Sequence, residues 1–225
     1  YLASLKANER DVLIALLKDR DRNPLKYSVR LASQDAAMKD TRKSVALLGG
    51  NWIGKTEIAA QVAAGVGSHT YPVQGMFPNR PLRIWYVSNP KVFATVQPRI
   101  KGYLPKGWLV KTTTESSWGC DKFWLFKDGG YCHYISWDID PDDIEGPQID
   151  VAIFDEPPPD IIRRKVLSRV RGDVARKYYF FTPLAAASEL KDLLDSPLTD
   201  RSKIGMHKAA IWENCRCLAG LDVEK

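Results

Sequence analysis

Gly49-Gly50-Asn51-Trp52-Ile53-Gly54-Lys55-Thr56 has the residue types and spacing of a loop that wraps phosphate groups, G-x-x-x-x-G-K-[ST]. Glycines let the backbone approach a phosphate closely. Lys55 offers an ammonium to the β- and γ-phosphates, and the Thr56 hydroxyl is a ligand for Mg²⁺. Such a site needs a carboxylate at the end of another buried strand to complete the metal's surroundings. Asp155, after the apolar run Val151-Ala152-Ile153-Phe154, supplies one. Glu156 follows directly. A carboxylate there can polarise a water for in-line attack on the γ-phosphorus, so the chemistry indicated is hydrolysis. A third element, Thr182-Pro183-Leu184, ends the run Tyr178-Tyr179-Phe180-Phe181, and its hydroxyl would stand near the γ-phosphate if the strands are parallel.

These groups need a scaffold, and the hydrophobic pattern outlines it. Ser44 to Leu48 is a short apolar run stopped by Gly49-Gly50, as a buried strand would be, and Lys55 to about Val66 has helical composition. Further strands are expected at Leu82–Val87, Val151–Phe154 and Tyr178–Phe181, and a helix from Ile161 to about Val170. β-type segments at Trp108–Thr113, Lys122–Phe126 and Tyr131–Ser136 form an added hairpin region, with Asp128-Gly129-Gly130 as its turn. Strands alternating with helices make an α/β fold, a mainly parallel central sheet flanked by helices. Leu5 to about Asp21 reads as an amphipathic helix with Leu5, Val12, Leu13, Leu16 and Leu17 on one side, closed by Pro24.

Composition excludes several classes. With 44% hydrophobic and 27% charged residues in 225, the chain can bury one sizeable α/β core and is too short for two large domains. No apolar run reaches the roughly 20 residues that cross a bilayer, so no membrane partner is expected. A net charge of +6 suits a polyanionic partner, though only weakly. Four cysteines are too few for a disulfide scaffold. Cys120, Cys132, Cys215 and Cys217 with His133 and His207 have no zinc-knuckle spacing and read as free thiols. The acidic run Asp138 to Glu145 opens like a calcium loop but has Asp143 where the turn glycine belongs, and reads as a solvated loop.

Taken together, the loop Gly49 to Thr56 with Glu57, the strand end Asp155-Glu156-Pro157-Pro158 and Phe181-Thr182-Pro183-Leu184 resemble the ATPase domain of the large terminase subunit, the DNA-packaging motor of tailed bacteriophages. The resemblance covers about Ser33 to Leu190. It implies a P-loop NTPase fold of the RecA-like/ASCE type, with ATP and Mg²⁺ as cofactors. Gly49, Gly50, Asn51, Trp52, Ile53, Gly54, Lys55, Thr56 and Glu57 would form the nucleotide site. Gln34 stands where many such motors place an adenine-reading glutamine, and Thr182 occupies the position of the coupling motif. Thr56 and Asp155 would hold the metal, and Glu156 and Lys55 would be catalytic. The family commonly has Arg in the loop where this chain has Trp52, and a basic segment where it has Asp138 to Glu145. The cation for the transition state would therefore come from a neighbouring subunit, with Arg169 the favoured choice among Arg163, Arg164, Arg169 and Arg171.

By the same resemblance, residues 1–40 are a helical lead-in and residues 41–200 the ATPase core. Residues 201–225 would hold the last strand and the start of a linker to a nuclease domain absent from this sequence. Tyr1 in place of Met points to a piece of something longer. Partners would be double-stranded DNA through non-specific backbone contacts, a portal, a small terminase subunit and further copies in a homo-oligomeric ring. The location would be the host cytoplasm, docked on the viral procapsid. Two other readings remain open at this point: another P-loop nucleic-acid motor such as a helicase-like ATPase, and a nucleotide-dependent assembly switch without turnover. A pure switch has no need of Glu156.

Overall fold

The computed structural model describes residues 7–115, 117, 119–183 and 201–210. Leu5, Leu184, Leu190, Cys215, Cys217 and the expected linker lie outside them. Eight strands form one sheet in the order β3-β4-β5-β2-β6-β7-β1-β8. They are β1 (Ser44–Gly49), β2 (Arg83–Ser88), β3 (Leu109–Glu115), β4 (Cys120–Phe126), β5 (Tyr131–Ser136), β6 (Val151–Asp155), β7 (Arg176–Phe181) and β8 (Ile204–Ala209). From β5 through β8 every neighbouring pair is parallel, whereas β3, β4 and β5 are joined antiparallel. The central strands are apolar along their whole length because helices or loops cover both faces, and β6 is buried at all five residues.

Helix α3 (Lys55–Gly67) follows β1 and is nearly all buried, so its alanines bring it close to the sheet. Its neighbour α4 (Pro90–Tyr103) starts at an Asn89 side-chain cap and packs against it. On the other face, α5 (Asp160–Arg169) buries Ile162 and Val166 with Trp85, Phe154 and Tyr179. Sequence reasoning placed α3 and α5 and did not anticipate α4 or α2 (Ala32–Lys39). Helix α2 is only eight residues long, and α4, although Phe93, Val96 and Ile100 recur at helical spacing, opens on Pro90 and carries Pro98 inside it.

Helix α1 (Ala7–Arg22) forms as expected, but its apolar side chains do not enter the core. Val12, Leu16 and Leu17 are exposed along with Ile14, and only Leu13 of the expected stripe is half-buried. Its amphipathic pattern therefore reports a face left uncovered among the described residues.

Strand β8 is fastened by a polar cluster. Arg42 Nε donates to Asp40 Oδ1 at 2.8 Å, and His207 Nε2 lies 2.8 Å from Asp40 Oδ2. Burial acts to raise the Asp40 carboxyl, but the bonds from Arg42 and His207 outweigh it and hold it at about 2. A Cβ on Gly205 would stand 2.0 Å from Asp40 Oδ2. Gly205→Ala should therefore displace Asp40, loosen β8 and destabilise the chain by about 1–3 kcal/mol, read as a lower midpoint in urea. An unchanged midpoint would mean that the cluster does not hold the strand.

Candidate active site

The parallel strands carry their C-terminal ends to one edge of the sheet, where the chemistry gathers. At the end of β1 the chain turns through residues 50–54 into α3. Ile53, fully buried, packs beneath the loop, and a Cβ on Gly49 would lie 2.0 Å from Ile53 Cδ1. Gly54 caps α3 at φ 75°, a left-handed angle that a side chain rarely adopts. The first N–H groups of α3 lack carbonyl partners within the helix, and with the helix dipole they favour an anion.

Lys55 is almost wholly buried, and its ammonium donates to Gly49 O at 3.1 Å and Gly50 O at 3.0 Å. It also lies 3.2 Å from Glu156 Oε1. Thr56 Oγ1 reaches Asp155 Oδ1 at 3.4 Å, at the outer limit of a hydrogen bond. Asp155 sits on the floor of the site, where Tyr86 donates to its Oδ2 at 2.8 Å and Ser88 to its main-chain oxygen at 2.8 Å. Burial, partly offset by the bonds from Tyr86 and Thr56, pushes the Asp155 carboxyl up to about 6.

Glu156 has φ 66°, in the left-handed region, which costs of order 1–3 kcal/mol for a residue with a side chain. Surrounding bonds hold it there. Its N–H donates to Phe180 O at 3.1 Å, Thr182 N–H donates to Oε2 at 2.9 Å, and the Thr182 hydroxyl donates to Oε1 at 2.7 Å. Because β7 lies between β1 and β6, the residue just past its end stands between the phosphate loop and the carboxylates.

Lys55, Thr56, Asp155, Glu156 and Thr182, five residues drawn from three separate segments, thus meet in one place. The remaining candidates are placed differently. Gly50 and Asn51 lie at the exposed tip of the loop beside Trp52, which is 83% exposed at φ 70°. Glu57 turns away toward α4, where Arg99 donates to it at 2.9 Å and Tyr103 bonds its other oxygen. Gln34 is buried, and its amide nitrogen donates to Ile53 O at 2.9 Å and Gly54 O at 3.3 Å while its oxygen accepts from Leu31 N at 2.9 Å. With both amide protons committed to loop carbonyls, Gln34 braces the loop.

Arg169 is not brought to this edge. It ends α5 beside Ile149, where the strands begin, and its guanidinium donates to Gly146 O at 3.0 Å. Of the other arginines, Arg163 and Arg164 pair with Asp160. Tyr86 and Ser88 were missed from the sequence. A buried tyrosine needs a partner for its hydroxyl, but only the sheet order shows that the partner is Asp155.

Among the described residues no cluster of His, Cys, Asp and Glu could hold a metal ion by itself, and Cys120 and Cys132 are free and buried. A nucleotide-bound Mg²⁺ asks for less: one hydroxyl and one carboxylate beside a phosphate cradle, which Thr56 and Asp155 fit. No helix of the described residues is long and apolar enough to cross a membrane.

A loop between strand and helix, a carboxylate strand two places away and one strand between them define a RecA-like P-loop fold of the ASCE type. Among solved structures, the chain has the fold of large terminase ATPase domains. It matches the large terminase of a thermophilic bacteriophage with a TM-score of 0.60 and 13% identity, over 84% of this chain and 47% of that one. The same phage protein in complex with ADP matches at 0.56 and 13%, over 87% and 48%. The chain therefore spans about half the length of that protein. The large terminase ATPase domain of Thermus phage P74-26 matches at 0.56 and 14% identity, over 87% of this chain and 86% of that one. No protein-family model and no curated protein matches the sequence.

Proposed function

We propose that this domain hydrolyses ATP and that hydrolysis drives double-stranded DNA into a viral procapsid. The observation that carries the reading is the carboxylate of Glu156, fixed by Thr182 within 3.2 Å of the Lys55 ammonium. On this reading the loop N–H groups and Lys55 hold the β- and γ-phosphates, and Glu156 orients the attacking water and takes its proton. Thr56 and Asp155 hold Mg²⁺, which when bound neutralises phosphate charge. The fold shared with terminase ATPase domains, and ADP in one large terminase structure, support nucleotide binding. The further partners would be a portal, a small terminase subunit and other copies of the chain in a ring, docked on a procapsid in the host cytoplasm. Arg169, remote from its own subunit's loop, would act only on a neighbour's nucleotide.

The direct test is phosphate release with and without Mg²⁺ and linear duplex DNA. Release that needs Mg²⁺ and rises with DNA is expected, and its absence under conditions where ATP binds would favour a switch without turnover.

Thr182 gives a finer test. Thr182→Val removes the 2.7 Å hydroxyl bond and leaves the backbone donor to Glu156. A bond to a charged group is worth about one decade in rate, so kcat should fall roughly tenfold with KM for ATP nearly unchanged. Thr182→Ser should restore it. A rise in KM alone would place Thr182 in nucleotide binding.

A further inference from the structure

The opposite edge of the sheet, where all the parallel strands begin, is about 20 Å from the phosphate loop, the length of a six-residue strand. It carries a row of arginines. Arg83 starts β2 and donates to Gln148 O at 2.9 Å, and Arg169 donates to Gly146 O at 3.0 Å. Arg171 donates to Ser168 O at 2.7 Å, and Arg176 starts β7 and donates to Thr41 O and Arg42 O at 2.6 and 2.7 Å. Each guanidinium is oriented by main-chain carbonyls, and among the described residues none of the four is paired with a carboxylate. Arg176 is half-buried with its guanidinium over the Phe77 ring and Arg169 is kept for a neighbour's nucleotide, so Arg83 and Arg171 are the pair offered to phosphates. Other surface cations are paired, Arg163 and Arg164 with Asp160, Lys165 with Asp142 and Arg99 with Glu57, while scattered ones such as Lys18, Arg20, Lys91, Lys106 and Lys127 have no carboxylate partner among the described residues. Of the acids nearest the row, Asp150 is committed to Arg80 and Asp40 to Arg42 and His207, while the exposed Asp173 and Glu145 have no ion pair among the described residues.

Gln148, Ser168, Arg169 and Arg171 also line an open hollow of about 380 Å³, ample for a phosphate group. Strands about 4.8 Å apart spread the row from Arg83 on β2 past β6 to Arg176 on β7 and the exposed Lys43 before β1, on the order of 15 Å. That is roughly four base-pair steps of about 3.4 Å.

We infer that this edge, opposite the candidate ATP site, is a docking surface for the phosphodiester backbone of duplex DNA. The inference rests on the proposed DNA-translocating function and adds where the duplex lies. Two features favour duplex phosphates over other polyanions. None of the exposed large apolar side chains falls in the segments that build the edge, 41–44, 80–83, 146–151 and 168–176, so it lacks the apolar anchors of a protein interface. Nor does it present exposed aromatic rings on which single-stranded bases could stack. Contacts made only to phosphates carry no base readout, so recognition is insensitive to sequence.

The test is titration of a labelled 20-base-pair duplex with the whole chain over a range of salt. The variants are Arg83→Gln with Arg171→Gln, which keep hydrogen-bonding side chains; Arg169 is left intact because it is assigned to a neighbour's nucleotide. Each lost phosphate contact removes about 0.9 from the slope of log K against log salt, so the double variant should lower the slope by about two. Affinity at low salt should fall by roughly 10–100-fold. Arg164→Gln, already matched by Asp160, should bind like wild type, and DNA-independent phosphate release should be unchanged in both variants. An unchanged slope in the double variant overturns the inference. So does wild-type protein that hydrolyses ATP but binds no duplex, which leaves the ATPase reading standing, and so does tighter capture of polyglutamate than of duplex at matched charge. Loss of phosphate release in the wild type would count against the proposed function itself.

Discussion

Glu156→Gln protein is expected to bind ATP about as tightly as wild type and to release phosphate at least ~10²-fold more slowly, the range set by loss of a general base. The structure gives two reasons. Three donors converge on the carboxylate, namely Lys55, the Thr182 hydroxyl and Thr182 N–H, and an amide has one oxygen to meet them. Its NH₂ must face a donor or swing away, so the variant loses both the basic oxygen and its fixed direction. Binding survives because the loop, Lys55 and Thr56 remain. Equilibrium titration with ATP and single-turnover phosphate release separate the two effects. A wild-type rate would remove Glu156 from the chemistry. Mixed with Arg169→Ala protein, Glu156→Gln should regain partial turnover if subunits share sites, each supplying what the other lacks. Mixtures that stay inactive under conditions where wild type assembles would end the role given to Arg169.

Lys55→Ala should be the other inactive protein, for a different reason. A buried ammonium within 3.2 Å of three oxygens is the main positive charge at the loop, and charged hydrogen bonds are worth about 1.5–3 kcal/mol each. Removing it should weaken ATP by roughly 10–100-fold and abolish measurable turnover at saturating nucleotide. A fluorescent-nucleotide titration reads the first effect and phosphate release the second, with a thermal melt to show that the chain still folds. Unaltered affinity would show that Lys55 does not contact the nucleotide.

The two carboxylates, the lysine and the two threonines were legible in the sequence because phosphate chemistry demands particular residue types at fixed local spacing. The strands beneath them were legible for a related reason, since a fully covered parallel strand must be apolar throughout. What surrounds them was not. That Tyr86 meets Asp155, that Arg99 and Tyr103 draw Glu57 toward α4, and that Arg169 lies at the far edge all depend on strand order and helix direction. No local pattern encodes those. Gln34 shows the limit best: its distance from the loop in sequence is compatible with reading a base, whereas its hydrogen bonds make it a brace. Helix α1 shows the reverse, a legible apolar stripe whose partner is not among the described residues.

The left-handed backbone at Glu156 sets stability against activity. Glycine or asparagine would accept φ 66° more easily, and the strand end would relax if either stood there. The most restful residue for the fold at this position is thus one that cannot activate water. A library of variants sorted only for heat resistance would drift toward such substitutions, and the durable proteins it yielded would be inert. Any effort to harden this domain has to hold position 156 fixed and find its gains elsewhere.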